Sequence, residues 1–116
     1  MSQHAGLDPA RWASFDLDQQ ILMIGNEMNR ASRWLAADGG ERLLRGYERV
    51  LRLTDLTVSC NTRATLRREL LRWRDLVAEL YMAPDAERHR AAFRALLLLS
   101  PTAARQLGLL SGVGRR

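Results

Sequence analysis

The chain has 116 residues, 47% of them apolar and 27% charged, with only three prolines, which is the make-up of one folded domain rather than of a disordered chain. All eighteen basic residues are arginine, so lysine chemistry, from a Schiff base to a phosphate-loop lysine, is excluded, and the net charge of +5 rests on groups that fork carboxylates and phosphates. The longest purely apolar run, Ala95 to Leu99, is far too short to cross a bilayer, and a lone cysteine, Cys60, leaves no internal disulfide to form.

Met1 to Asp8 carries neither the basic nor the apolar stretch of a secretory signal, and with the single cysteine this sets a cytoplasmic location as the expectation. Residues 1–15 read as an N-terminal extension. Asp16 or Ser14 can then cap a first predicted helix, in which Leu17, Ile21, Ile24, Met28, Ala31 and Leu35 step by three and four and keep one stripe inward. Asp38-Gly39-Gly40 stops it, because glycine accepts the left-handed backbone that a helix end needs.

A second predicted helix starts near Glu41 and buries Leu43, Leu44, Tyr47, Val50, Leu51, Thr54 and Val58. Asn61 or Thr62 is placed to cap a third, with the stripe Leu66, Leu70, Trp73, Val77 and Leu80. Pro84 ends that helix or opens the next, and Asp85 is placed to cap a fourth reaching Leu99, with His89 beside Phe93 on its inward face. Ser100-Pro101 opens a short fifth helix ending near Gly108, and residues 111–116 form a flexible basic tail. No alternating strand pattern competes with this reading. The expected fold is all-α: an antiparallel up-and-down four-helix bundle over residues 16–110 with a short C-terminal fifth helix.

Met23 and Trp34 lie off the inward stripe of the first predicted helix, and Leu98 and Leu99 make the end of the fourth apolar all round. These four residues are the expected oligomer face.

Charge is unevenly spread: residues 1–40 are net −2, 41–60 net +1, 61–83 net +2 and 84–116 net +4, so the basicity is partly a property of the C-terminal end. Projection around each helix sorts the arginines. Arg45 and Arg52 share a face with Glu41, Glu48 and Asp55, and Arg68 and Arg72 share one with Asp75 and Glu79. Arg42 and Arg49 on the second predicted helix, and Arg63, Arg67 and Arg74 on the third, have no acid on their own face, and Tyr81 extends the latter row. Arg63 and Arg67 also stand in a first helical turn, where the helix dipole opposes positive charge. Two kinds of group can offset them: an internal carboxylate such as Asp18 or Glu27, or an outside anion, whether an acidic protein or a phosphate backbone.

Catalytic constellations are scarce. His4 lies in the extension and His89 faces inward, so no histidine pair arises, and the Glu-x-x-His pattern of di-iron bundles is absent. No catalytic residue, metal ligand or cofactor is assigned. Cys60 stands near Arg63 at a helix start without a histidine or second cysteine beside it.

The stretch Tyr47-Glu48-Arg49-Val50-Leu51-Arg52-Leu53-Thr54-Asp55-Leu56-Thr57, followed by Leu66-Arg67-Arg68-Glu69-Leu70-Leu71-Arg72-Trp73-Arg74, resembles a group of small uncharacterised bacterial all-helical bundle proteins across residues 16–83. That resemblance implies a bundle and carries no activity. The chain is also loosely similar to helical domains of the higher eukaryote and prokaryote nucleotide-binding type, some of them ribonuclease toxins, but their Arg-x-x-x-x-His signature fails here because Pro84 stands five residues before His89. The functional expectation is a non-enzymatic helical interaction or adaptor protein that self-associates or binds an acidic protein through an arginine-rich face. The alternative is an RNA- or DNA-binding accessory using the same arginines, and no membrane is involved.

Overall fold

The computed structural model describes residues 8–37 and 39–100. They form five helices: α1 (Pro9–Ala13), α2 (Leu17–Ala36), α3 (Glu41–Cys60), α4 (Ala64–Met82) and α5 (Ala86–Leu97). Among the described residues every regular element is helical. The first to fourth predicted helices are α2 to α5, whereas the predicted C-terminal helix and the basic tail lie outside the described residues.

Local chemistry sets the ends of α2. Asp16 accepts from the Gln19 amide at 2.8 Å while the Gln19 side chain accepts from the Asp16 amide at 3.0 Å, a reciprocal capping box. At the other end the Gly39 amide reaches back to the Trp34 carbonyl, and a Cβ on Gly39 would come within 2.7 Å of Trp34 Cβ. Gly40 follows at φ 53°, a positive angle that glycine takes without strain, and stands as the N-cap of α3.

One capping expectation changes. The N-cap of α4 is Arg63, with no side-chain cap, and Asn61 instead turns back to the Thr57 carbonyl (2.8 Å) and Gln20 (3.1 Å), closing the end of α3. Asp85 does cap α5, accepting from the Arg88 amide at 2.8 Å.

The helix missing from the sequence reading is α1, inside the stretch taken as an extension. Asp8 caps it and Pro9 occupies its first turn, both ordinary helix-start signals. It brings Trp12 into the core, fully buried, where the indole N–H donates to Thr57 Oγ1 at 2.9 Å. Gln20 ties this corner together by donating to the carbonyls of Trp12 (3.0 Å) and Phe15 (3.2 Å).

Packing runs α2 on α3 and on α5, α3 on α4, α4 on α5, and α1 on α3. The core draws on the expected stripes: Ile21, Ile24, Met28 and Ala31 from α2, with Leu17 and Leu35 of that stripe only partly buried, Leu43, Tyr47 and Val50 from α3, and Leu66, Leu70, Trp73, Val77 and Leu80 from α4. Leu53 and Thr57 of α3 join it, whereas Leu44, Leu51 and Val58 of the expected stripe are only partly buried. Gly46 is buried in the α2–α3 contact, where an added Cβ would meet that of Ala31 at 3.5 Å, an ordinary packing distance. From α5, Ala92, Leu96 and Leu97 complete the interior.

Candidate functional site

Four of the six expected binding residues carry an interaction inside the protein. Arg49 Nε lies 3.1 Å from Glu27 Oε1 across the α2–α3 seam, and Glu27, whose side chain is 7% exposed, also holds Arg30 at 3.5 Å. Arg74 forks Asp55 of α3, with Nε to Oδ1 at 2.5 Å and Nη2 to Oδ2 at 3.3 Å, and this partner keeps the guanidinium pKa above its ordinary value. The Tyr81 hydroxyl donates to Glu48 at 2.9 Å, which raises the phenol pKa. Arg42 lays its guanidinium 4.9 Å from the centre of the Trp34 ring, a cation–π contact.

The same-helix pairs differ from the projection as well. Arg45 meets Glu41 at 2.7 Å as expected of that face, but Glu48 and Asp55 turn to α4. Arg72 pairs with Glu69 at 3.4 Å rather than with Asp75 or Glu79, and Glu79 lies 3.9 Å from Arg88.

Arg63 and Arg67 remain. Both are exposed, and among the described residues neither side chain has a carboxylate or hydrogen-bond partner. Asp18, one of the carboxylates considered for them, accepts from Ser100 Oγ at 2.6 Å, and Glu27, the other, serves the α2–α3 seam. With the adjoining Arg68 they form a small basic corner at the uncapped start of α4.

The four expected oligomer-face residues are not brought together. Met23 and Trp34 are half-buried against the core. Trp34 lines a groove with Leu44, Tyr81, Met82 and Pro84, at the C-terminal end of α4. Leu99 lines another with Trp73, Leu76 and Ala95, flanked by Glu69 and Arg72, toward its N-terminal half. Leu98 beside it is 72% exposed. The sequence reading missed Leu71, Leu76 and Met82, the other exposed large apolar side chains among the described residues. The projection that singled out Met23 and Trp34 finds Leu71 and Leu76 too, since neither falls on the Leu66–Leu80 stripe.

His89 is buried between helices, with Nδ1 2.7 Å from the Tyr47 hydroxyl and Nε2 3.0 Å from the Met28 carbonyl. Cys60 is half-buried and receives Gln20 Nε2 at 3.3 Å. Among the described residues no cluster of histidine, cysteine and carboxylate groups is placed to hold a metal, and no helix is long and apolar enough to cross a membrane. Comparison with protein-family models, curated proteins and solved structures finds no match.

Proposed function

We propose that this protein is a non-enzymatic helical interaction module that self-associates through the α4–α5 flank, and that α2 to α5 form an antiparallel up-and-down bundle. The topology is supported by residue pairs that run in opposite directions along each seam: Gln20 with Cys60 and Glu27 with Arg49; Glu48 with Tyr81 and Asp55 with Arg74; Trp73 with Ala92 and Glu79 with Arg88; Asp18 with Ser100 and Met28 with His89. Connections of three or four residues between these helices fit it.

The observation that carries the interaction reading is the groove lined by Leu76, Ala95 and Leu99, with exposed Leu98 next to Leu99 in the chain, because exposed apolar side chains gain by being covered. Light scattering across a concentration series tests it. A mass above that of one chain, returned to the monomer by Leu98→Glu with Leu76→Glu, is expected; a strict monomer at high concentration defeats it.

A second reading, binding of nucleic acid or an acidic protein, is favoured by Arg63 and Arg67 alone, since Arg49, Arg74 and Arg42 are already engaged. Titration with mixed RNA and DNA at low and high salt separates it from self-association, and no binding at low salt ends it.

A further inference from the structure

We propose that the buried Tyr47–His89 pair is an acid-sensitive latch, which holds α5 to α2 and α3 while His89 is neutral and releases α5 when the ring takes up a proton.

Geometry fixes the neutral form. A carbonyl only accepts, so the His89 Nε2 facing Met28 carries the hydrogen, and Nδ1 is left as the acceptor for the Tyr47 hydroxyl. Both ring nitrogens are thereby satisfied at a site where the histidine is 2% exposed, and one α5 side chain is tied to two other helices. A proton on Nδ1 removes that acceptor. The Tyr47 O–H then has no other acceptor among the described residues, and a cation is left in an apolar interior.

No carboxylate stands ready to hold that cation. On α5 the charged group acting on the ring is Arg90, which repels a proton, and Asp85 is occupied with the Arg88 amide. On α2 the nearest acid along the helix is Glu27, held by Arg49 and Arg30, and Ser32 is the polar side chain beside the ring. On α3 the titratable neighbour is Tyr47, whose own pKa burial pushes up to about 12, while Glu48 serves Tyr81. On α4 Glu79 lies against Arg88. Burial accordingly holds the His89 pKa below its ordinary value of about 6.5.

The released helix binds the proton more tightly than the docked one. Docking is therefore full above about pH 6.5 and weakens as the pH falls below it, down to the pKa of the docked ring. A groove lined by Ser32, Leu35, Ala36, Ala86 and Arg90 reaches His89 and gives water a route to the ring. Release uncovers Ala92, Leu96 and Leu97, so acid converts a closed helix face into an apolar surface.

Amide hydrogen exchange on the full chain at pH 7.5 and 5.0, corrected for the intrinsic pH effect, tests the latch, with the His89 ring followed by NMR. Opening of α5 is expected to rise by up to about tenfold per pH unit below about 6.5, ahead of α3 and α4, with a ring pKa under 6.5. His89→Gln, which keeps a donor and an acceptor but cannot titrate, is expected to abolish the response. Equal opening of all helices, an undiminished response in His89→Gln, or a ring pKa at or above 6.5 would overturn the proposal. If the variant does not fold, the exchange pattern and ring pKa of the unaltered chain still decide it.

Discussion

Arg49 and Glu27 meet at 3.1 Å across the α2–α3 seam, and the two halves of the pair differ in their access to water: the arginine side chain is 21% exposed and the glutamate 7%. That difference makes the pair asymmetric. Losing Arg49 leaves a nearly buried carboxylate with Arg30 at 3.5 Å, whereas losing Glu27 leaves a long side chain that can turn its guanidinium outward. Arg49→Met is expected to lower stability by about 2–4 kcal/mol and Glu27→Met by less, while the double variant recovers most of the loss. Urea denaturation of the three variants provides the measurement, and equal losses for the single variants would show that Arg49 is as confined as its partner.

The Arg74–Asp55 fork behaves differently because both groups face solvent, with side chains 35% and 53% exposed. Screening and side-chain entropy reduce even a bidentate pair at such a site. Asp55→Asn is expected to cost about 0.5–1 kcal/mol in dilute buffer and less than half of that in about 1 M salt. A salt-independent loss would instead indicate that Asp55 supports packing of α3.

These partners explain what could be read from the chain and what could not. The α4 stripe was legible to the last member because Leu66, Leu70, Trp73, Val77 and Leu80 keep helical spacing through the helix, and all five are buried. Helical projection, however, sees only neighbours on the same helix. It assigned Asp55 and Glu48 to α3 arginines, while the fold hands them to Arg74 and Tyr81. Pairing across a seam depends on helix register, which intrahelical spacing does not encode. The Asp8-Pro9 start of α1 is a cap followed by proline that the sequence reading did not use, because five residues are too few to show a period. In the same way His89 was legible as an inward residue, though its partner Tyr47, 42 positions away, was not.

Trp12 tests whether α1 belongs to the folded unit. Its indole is fully buried and hydrogen-bonded to Thr57, so Trp12→Ala should cost about 3–5 kcal/mol, in the range for removing a buried aromatic. Trp12→Phe should cost less, because the ring volume is largely kept and Thr57 Oγ1 retains its bond to the Leu53 carbonyl at 2.8 Å. Thermal unfolding by circular dichroism separates the two, and an Ala variant as stable as the parent would place α1 outside the cooperative unit.

Arg63 and Arg67 open α4 with positive charge where the helix dipole favours negative, and Arg63 occupies the N-cap without capping it. Neither has a partner among the described residues, so neutralising them should stabilise the fold. Arg67→Gln is expected to add a few tenths of a kcal/mol, and Arg63→Asp about 1–2 kcal/mol, because aspartate both caps the free amides and complements the dipole. Most of the Arg67→Gln gain should vanish at high salt, whereas the capping part of the Arg63→Asp gain should persist. If these arginines bind an outside anion, the stabilised variants also lose low-salt nucleic-acid or acidic-protein binding, so stability and binding move in opposite directions. A loss of stability in both variants would instead show that these arginines support the fold, and with it the end of the anion-binding reading.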